Sequence, residues 1–296
     1  MKQIKTLLAA LFVAMAGTAS AQTKNYVHIT KTDGTKVHFS QDEIESMIID
    51  TEEPEELKFV TFTDGTNTVT VANMNLGATT VADSPETSYG NYYAWGATET
   101  FGTVDQSTGT VTPTTGHDGG YSQANAPYWN GSAYTKYTGT SDATLEAADD
   151  AVAANMPGWH MPTQAEIQTL YAACGGSGST PTGTISSNQE AYPSTAGIYW
   201  VTGGNAAVKI DDDTYSVNGL LFVQDADHHV FFPAAGRVGG TDLNNAGNFG
   251  YYWSSSLLTN NTYYYYAYRL YFYSNYVRPD SSHYRYYGYP VRPFKD

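Results

Sequence analysis

The chain has 296 residues, of which 15% are charged and 41% hydrophobic, and its formal net charge is -15. This length and composition suffice to bury the core of a medium-sized domain and exclude a disordered protein. The acidic balance argues against nucleic acid and anionic membranes as partners. Because Cys174 is the only cysteine, the chain forms no internal disulfide.

The N-terminal residues have the pattern of an export signal. Lys2 and Lys5 precede an apolar run from Leu7 to Ala16, and the small residues of "TASAQ" follow as a cleavage site. We expect residues 1–21 to be a signal peptide and the mature protein to be exported, to the periplasm, the cell surface or the medium. A membrane anchor is the alternative, but the apolar run is shorter than the roughly 20 residues that a span needs.

Residues 22–57 are predicted to form a small N-terminal β-hairpin unit and an acidic linker. The segment "YVHITKTDGTKVHF" alternates on both sides of Asp33-Gly34, which is a strong hairpin signal. Ser40 and Glu43 then form a capping box before a short helix or turn. The acidic run "DTEEPEEL", residues 50–57, indicates the linker.

The main domain is predicted to span residues 58–296. It begins with a second hairpin around Asp64-Gly65. Residues 75–140 are rich in Gly, Thr, Ser, Asn and Tyr, and we expect long surface loops there. The acidic residues 141–156 are expected to contain a short helix.

The clearest helix signal is "GWHMPTQAEIQTLYAACGG", where Thr163 and Glu166 form a capping box and two glycines end the helix. Apolar residues at helical spacing predict a buried face containing Ile167, Leu170, Tyr171 and Cys174. Cys174 is therefore interpreted as a core residue and not as a nucleophile.

From residue 197 onward the pattern is typical of strands separated by turn residues. The predicted fold class is α+β with one dominant mixed or antiparallel sheet region. Ser274 to Arg285 shows no useful periodicity, and we expect a loop there.

Six segments in a fixed order resemble a known family. They are "SYGNYYAWGATET", "LEAADDA", "GWHMPTQAE", "FFPAAGRVGG", "GYYWSSS" and "GYPVRPF". They resemble the Fibrobacter succinogenes major paralogous domain proteins of Bacteroidetes, and the resemblance covers roughly residues 60–296. The resemblance implies a C-type lectin-like fold of the formylglycine-generating-enzyme type, with long loops and little regular structure.

Residues 244–289 also resemble the variable region of a target protein of a diversity-generating retroelement. Such systems mutate template adenines, which turns Asn codons into codons for Tyr, Asp, His, Ser, Thr or Ile. Of the 30 residues from Asn260 to Tyr289, 21 are Asn, Tyr, Asp, His, Ser or Thr. Several of the other nine are expected to be fixed scaffold: Ala267, Arg269, Leu270, Phe272, Val277, Arg278, Pro279, Arg285 and Gly288.

Tyrosine is concentrated in the same region, since 14 of the 26 tyrosines lie between Tyr251 and Tyr289. Tyrosine offers a large amphipathic contact area with two torsions to freeze, and Asn and Ser add adaptable hydrogen bonds, as in antibody paratopes. Residues 250–296 also carry a charge of +3, against -20 for residues 22–249. The composition therefore predicts a contact surface that differs electrostatically from its support.

Strand alternation assigns the residues of this surface. In "AYRLYFY" the Leu270 face is the better core candidate, so Arg269, Tyr271 and Tyr273 should face solvent. The predicted ligand-binding residues are Tyr264, Tyr266, Arg269, Tyr271, Tyr273, Asn275, Tyr276, Arg278, Asp280, Ser282, Tyr284 and Tyr286. The alternative is that these tyrosines are ordinary strand residues, because tyrosine has a high β propensity.

The sequence indicates no catalytic residue, metal or cofactor. Formylglycine-generating enzymes need a reactive cysteine pair, whereas this chain has only Cys174, and its histidines show no HxH or HExxH spacing. Asp105 and Asp211 to Asp213 offer oxygen ligands but match no D-x-D-x-D-G calcium loop.

We therefore expect an exported binding protein and no enzyme. Its diversified C-terminal surface would recognise a protein or glycan on another cell or a phage. Two alternatives stay open. One is an enzyme of the formylglycine-generating type or a carbohydrate-active relative, and the other is a structural surface or fimbrial component.

Overall fold

The computed structural model describes residues 57–139, 141–186, 195–203, 214–259 and 264–296 in full, and the backbone alone of 26–30, 36–40, 208–210 and 213. The chain divides into two compact units, Met1–Glu53 and Pro54–Asp296.

The first unit contains an antiparallel hairpin of β1 (Tyr26–Thr30) and β2 (Lys36–Ser40), in which Tyr26 pairs with Ser40. The predicted N-terminal hairpin is thus confirmed. The proposed signal peptide, the Asp33-Gly34 turn and the capping box at Glu43 lie outside the described residues. Most of the acidic linker also lies outside them.

The second unit is mostly β-sheet with few helices, which is compatible with the α+β class. Its described strands are β3 (Phe59–Thr63), β4 (Thr68–Ala72), β5 (Gly102–Asp105), β6 (Thr110–Pro113), β7 (Trp159–His160), β8 (Gly183–Ile185), β9 (Gly197–Val201), β10 (Val208–Ile210), β11 (Asp213–Tyr215), β12 (Gly219–Val223), β13 (His229–Pro233), β14 (Arg237–Gly239), β15 (Asp242–Asn244), β16 (Phe249–Leu257), β17 (Tyr266–Tyr273), β18 (Tyr276–Tyr284) and β19 (Phe294–Lys295). The helices are α1 (Pro85–Ser88), α2 (Ala151–Asn155) and α3 (Gln164–Ala173), with 3-10 turns at Gln123–Asn125 and Ala147–Asp149.

These strands form several small sheets instead of one dominant sheet. Four-stranded sheets have the orders β3-β4-β19-β7, β13-β12-β9-β8 and β14-β15-β6-β5, while β16-β17-β18 form a three-stranded sheet and β10-β11 a pair. The pairings are antiparallel except β8 with β9. In the first sheet Phe294 pairs with Val71 and with His160, so both ends of the second unit meet in one sheet.

Helix α3 forms as predicted. The hydroxyl of Thr163 accepts from the Glu166 amide, and the Thr163 amide donates to the Glu166 carboxylate, which closes the capping box. The predicted buried face is confirmed, because the four residues Ile167, Leu170, Tyr171 and Cys174 all lie in the main core cluster. The same cluster contains Trp200, Phe222, Phe232, Tyr252, Leu270, Phe272 and Val277.

The predicted loop from Ser274 to Arg285 is wrong, because most of it is strand β18. Arg269 of β17 pairs with Ser281 of β18, and Tyr271 pairs with Arg278. Between these two pairs β18 has one residue more than β17, which is a β-bulge. The bulge shifts the side-chain alternation by one residue, and this shift hides the strand in the sequence. It contains Pro279, which is tolerated there because β18 is an edge strand.

The expectation of surface loops over residues 75–140 is only partly right. The segment contains the hairpin of β5 and β6, and several of its aromatic residues are buried. Trp95 Nε1 donates to the Ser254 carbonyl at 2.8 Å, and Trp253 Nε1 donates to the Tyr93 carbonyl at 2.9 Å. This exchange of hydrogen bonds attaches the loop to strand β16.

No helix among the described residues is long and apolar enough to cross a membrane.

Candidate ligand-binding face

The sheet β16-β17-β18 contains most of the tyrosine-rich segment, and its two faces differ. On the inner face Leu270, Phe272 and Val277 are buried in the main core. On the outer face Tyr251 of β16 lies opposite Tyr271 of β17. Because successive residues of a strand point to opposite faces, the inner side chains anchor the sheet in the main core. The outer ones point to its other side, where Tyr251 and Tyr289 belong to a second buried cluster and Tyr271, Phe249 and Tyr287 pack against it.

One layer of aromatic rings covers the outer face, and we call it the tyrosine face. Its members are Phe249, Tyr251, Tyr271, Tyr273, Tyr276, Tyr287 and Tyr289. Ring centroids are 5.1 Å apart for Phe249 and Tyr273, and 5.3 Å apart for Tyr251 and Tyr271. Tyr289 enters from the segment after β18, with its centroid 5.4 Å from that of Tyr251. These separations are those of stabilising aromatic pairs.

The rings of the tyrosine face cover one another and leave part of each outer ring accessible. Tyr251 and Tyr289 are buried, whereas Tyr271, Tyr273 and Tyr276 are half-buried. Burial raises the pKa of Tyr271, and it raises that of Tyr289 to about 12. These hydroxyls therefore stay protonated at neutral pH, able to donate and accept hydrogen bonds.

The aromatic layer continues past Tyr287 toward the start of β17. The centroid of Tyr287 lies 4.7 Å from that of Tyr286, and Tyr286 lies 5.3 Å from Tyr284. Tyr284 in turn lies 4.6 Å from Tyr266 in an edge contact. Tyr284 is among the most exposed aromatic residues, at 37%. The rings thus form one connected surface across two strands and the segment that follows them.

Arg269 lies within this layer and is only 6% exposed. Its Cζ is 4.9 Å from the ring centroids of both Tyr251 and Tyr271. Its Nη1 donates to the Tyr289 hydroxyl at 2.6 Å, and its Nε to the Ser281 hydroxyl at 3.4 Å. The prediction that Arg269 faces solvent is therefore wrong, because the neighbouring rings cover the outward-pointing side chain.

Arg237 reaches the tyrosine face from strand β14. Its Cζ lies 4.3 Å from the ring centroid of Tyr287 and 5.8 Å from that of Tyr251. Its Nε is buried and has no hydrogen-bond partner. The preceding Gly236 has φ 66°, and a Cβ there would lie 2.5 Å from the Asn244 carbonyl oxygen. Only glycine therefore allows the turn that leads into β14.

His283 of β18 completes the group. Its ring centroid is 5.0 Å from that of Tyr287, and its Nδ1 is buried without a hydrogen-bond partner. Burial, together with the charges of Arg269 and Arg237, lowers the pKa of His283 to about 4. Its imidazole is therefore neutral at pH 7. Among the described residues no salt bridge involves His283, Arg237 or Arg269.

The other eleven predicted contact residues are all at least partly exposed. The half-buried ones are Tyr264, Tyr266, Tyr271, Tyr273, Tyr276, Ser282 and Tyr286, and the exposed ones are Asn275, Arg278, Asp280 and Tyr284. Arg278 and Asp280 pair with each other at 3.0 Å, so their charges are balanced. Only Tyr271, Tyr273 and Tyr276 of the predicted set belong to the tyrosine face itself.

Sequence reasoning missed the remaining members of this site. Phe249, Tyr251, Tyr287 and Tyr289 lie within residues 244–289, so the tyrosine concentration alone pointed to most of them. His283 lies within the tyrosine-rich segment but in the part predicted as loop, and Arg237 carried no usable signal, because it reaches Tyr287 from strand β14 only in the folded chain.

Cys174 and Asp105, two residues that could have served as nucleophile and metal ligand, occupy structural positions. Cys174 is buried, and desolvation raises the pKa of its thiol, which disfavours the reactive thiolate. Among the described residues, no group of three or more His, Cys, Asp or Glu is arranged so that it could hold a metal ion. Asp105 accepts from the Ser107 and Thr108 amides of its own turn. Asp211 and Asp212 lie outside the described residues, and so do the side-chain contacts of Asp213.

Comparison with known proteins bears on this same region. A family described as "Domain of unknown function (DUF8237)" matches residues 222–294, about a quarter of the chain. The matched segment runs from β12 to β19 and contains every residue of the tyrosine face. No curated protein and no solved structure matches the chain.

Proposed function

We propose that the protein is exported and binds a macromolecular ligand through the tyrosine face, displayed on a C-type lectin-like scaffold. The ligand would be a protein or glycan on another cell or a phage. The observation that carries the proposal is the connected layer of half-buried rings on the outer face of a sheet whose inner face is anchored in the core. A large accessible aromatic patch usually marks an interaction site.

The composition of the surface supports this function over that of an ordinary solvated sheet. Residues 260–289 contain no Lys and no Glu. Interface cores are enriched in Tyr, Trp and Arg and depleted in Lys and Glu relative to the rest of the surface. A strand face that needs only solubility has no reason to exclude both of these residues.

A diversified surface requires its variable residues to be accessible and its fixed residues to be buried, and the burial of residues 264–289 follows this division. Among residues 264–289, every Asn, Tyr, Asp, His, Ser and Thr except Tyr289 is at least partly exposed. Seven of the nine other residues are buried, namely Ala267, Arg269, Leu270, Phe272, Val277, Arg285 and Gly288. Substitutions at Asn-derived codons would therefore change the surface and leave the core intact. This pattern supports the proposal of a diversified binding region.

Preorganisation favours tight binding by such a face. Each ring of the tyrosine face already contacts others, as Tyr271 does with Tyr251, Tyr273 and Tyr276. Its rotamers are therefore restricted before a ligand arrives. Since ordering side chains costs about 0.5–1.5 kcal/mol each on association, this prior order lowers the cost of binding.

The shape of the face favours a macromolecule over a small ligand. Three cavities in the described part of the chain, of about 320, 500 and 300 Å³, are lined by residues outside the tyrosine face. Small-molecule sites are concave and bury most of their ligand, whereas protein partners associate over broad surfaces.

The proposal is tested with a variant that combines Tyr271→Ala, Tyr273→Ala and Tyr276→Ala. A random-peptide display library is selected on the wild-type domain, and the enriched peptides are measured against both proteins. We expect the variant to bind them at least about tenfold more weakly, because aromatic anchors dominate binding energy. Circular dichroism and urea unfolding establish that the variant is folded.

A matched control removes three accessible apolar side chains elsewhere, Leu57→Ala, Phe59→Ala and Tyr199→Ala. Leu57 is 42% and Phe59 55% exposed, and Tyr199 is half-buried. We expect this variant to bind the peptides as the wild type does. Equal binding by the tyrosine-face variant, or an equal loss in the control, would reject the proposed function.

A further inference from the structure

Two positive charges lie on the tyrosine face without a negative charge to balance them. Lys136 pairs with Asp149 at 2.7 Å, and Arg278 pairs with Asp280 at 3.0 Å. Arg237 and Arg269, by contrast, form no salt bridge with any described residue. Their guanidinium groups are stacked on tyrosine rings, which attract cations only weakly compared with a carboxylate.

The same place contains two buried polar atoms that lack hydrogen-bond partners, Arg237 Nε and His283 Nδ1. Most buried polar groups in folded proteins are hydrogen-bonded, so each exception requires a physical reason. Both belong to side chains that contact the ring of Tyr287, with Arg237 Cζ at 4.3 Å and the His283 centroid at 5.0 Å. Arg269 also keeps one nitrogen, Nη2, without a hydrogen bond to a described residue.

We propose that Arg237, Arg269 and His283 receive a carboxylate from an acidic side chain of a partner protein. The proposal rests on the tyrosine face being the binding surface and specifies the chemistry of its ligand. Arg237 is half-buried, so a carboxylate that contacts the accessible part of its side chain balances the two guanidinium charges. The surrounding rings then bury the apolar or aromatic residues beside that acid.

Charge favours a single protein carboxylate over a polyanion such as a sulfated glycan or nucleic acid. The positive cluster is local, whereas residues 54–249 of the same unit contain 20 acidic and 4 basic residues, a net charge of -16. An extended polyanion would reach beyond the cluster and be repelled by this acidic surface over roughly a Debye length of 8 to 10 Å. A single acidic side chain within an otherwise apolar contact balances the charges of Arg237 and Arg269 without this repulsion.

The first experiment uses two synthetic probes, N-acetyl-Phe-Asp-Phe-amide and its isosteric Asn counterpart. Their dissociation constants are measured by NMR titration of histidine-labelled protein. We expect the Asp probe to bind about tenfold more tightly, since the amide lacks the charge that the arginines require. Equal affinity of the two probes would overturn the carboxylate proposal.

The ring signals of His283 give a second, independent readout. A carboxylate beside Arg237 and Arg269 offsets the positive charges that lower the pKa of His283. That pKa should therefore rise from about 4 on addition of the Asp probe and stay unchanged with the Asn probe. The groups that face this ring are the two arginines and Tyr266, Tyr284 and Tyr287. An Asp probe that binds without moving the pKa of His283 would contradict the assignment.

Three variants locate the charge. Arg237→Gln should lose the preference for Asp over Asn, and Arg237→Lys should retain most of it because the charge remains. Lys58→Gln is the control, because Lys58 is exposed and lies just before β3, outside the tyrosine face. It should keep the full preference. Arg237 is chosen over Arg269 because Arg269 is more deeply buried and its removal disturbs Tyr289.

The outcomes separate this inference from the proposed function. Loss of the Asp preference in Arg237→Gln, with peptides still selected on the tyrosine face, supports both. Peptide binding that needs Tyr271, Tyr273 and Tyr276 but shows no Asp preference overturns the carboxylate proposal alone. Binding of a heparin oligosaccharide in preference to the Asp probe also overturns it, in favour of a polyanion. Peptide binding that is indifferent to the tyrosine substitutions rejects the proposed function itself.

Discussion

Arg269, Arg285 and Arg292 are buried without an acidic partner among the described residues, at 6%, 0% and 1% exposure. Arg292 donates to the carbonyls of Ala72 at 2.9 Å and Phe231 at 2.7 Å. Burial lowers the pKa of both Arg285 and Arg292 to about 10, so both remain charged at neutral pH. Carbonyl oxygens and aromatic rings thus replace water around these cations.

At the residue scale, His160 links three parts of the second unit. Its Nε2 lies 2.9 Å from Glu166, which closes the cap of α3, and its Nδ1 lies 2.7 Å from Asp296. The bond to Glu166, with a smaller effect of Asp296, raises the pKa of His160 to about 9. His160 is therefore protonated at neutral pH, whereas His283 is neutral.

We predict that His160→Gln lowers the free energy of unfolding by about 2 kcal/mol at pH 6 and by little at pH 10. Because the pKa of His160 is higher in the folded chain, its protonated ring stabilises the fold fully below the pKa near 6.5 of the unfolded chain. This stabilisation is lost as pH rises through about 9. Urea unfolding at pH 6, 8 and 10 measures the difference. His228→Gln, at an exposed pair with Asp225, is the control and should change stability by less than about 1 kcal/mol. A destabilisation of His160→Gln that does not vary with pH would contradict the prediction.

At the element scale, strand β18 joins the tyrosine face to the core. It has only one strand neighbour, β17, but Val277 packs in the main core and its amide donates to the Ser179 carbonyl at 2.9 Å. The bulge near Pro279 then redirects the strand, so that Arg278 faces Tyr271 and Ser281 faces Arg269. Without the bulge, His283 would point to the opposite face of the sheet from Tyr271, Tyr273 and Tyr276.

We predict that Val277→Ala destabilises the second unit by about 1–2.5 kcal/mol, because it removes buried methyl groups. It should also speed hydrogen exchange at the amides of β18. Arg278→Ala at the exposed neighbouring position is the control, and its expected cost is below about 1 kcal/mol. Urea unfolding and hydrogen exchange check both variants. A cost of Val277→Ala as small as that of the control would mean that residues 276–284 behave as a loop.

At the scale of the whole molecule, the last strand closes the second unit. Strand β19 lies between β4 and β7, and Arg292 just before it bonds to carbonyls of β4 and β13. The beginning and the end of the unit therefore share one sheet and one buried cation. We expect residues 54–296 to unfold in a single transition, because neither end can detach without opening the core.

We predict that Arg292→Leu costs about 3 kcal/mol, because the Ala72 and Phe231 carbonyls become buried acceptors without donors. Lys295→Ala, at an exposed position nearby, is the control and should cost less than about 1 kcal/mol. Urea unfolding followed by fluorescence and circular dichroism measures both. Two separate unfolding transitions in the wild type, or an unchanged free energy of unfolding in Arg292→Leu, would contradict the prediction that the C-terminal strand and Arg292 close the second unit.

Features set by neighbouring residues could be predicted from the sequence. The capping box of α3, the antiparallel pairs β1-β2 and β3-β4, and the burial of Cys174 depend on short-range spacing. Strand alternation likewise placed Tyr271 and Tyr273 on the outer face, and composition located the tyrosine-rich surface.

Only the tertiary structure decided how those side chains meet. Arg269 points outward as predicted but is covered by Tyr251, Tyr271 and Tyr289, and Arg237 joins them from a separate sheet. The bulge in β18 breaks the two-residue period on which strand prediction depends. The sequence by itself therefore indicated the segment that carries most of this surface, and it named Tyr271, Tyr273 and Tyr276 within it. Their burial and charge balance arose from contacts between distant segments, which no local pattern encodes.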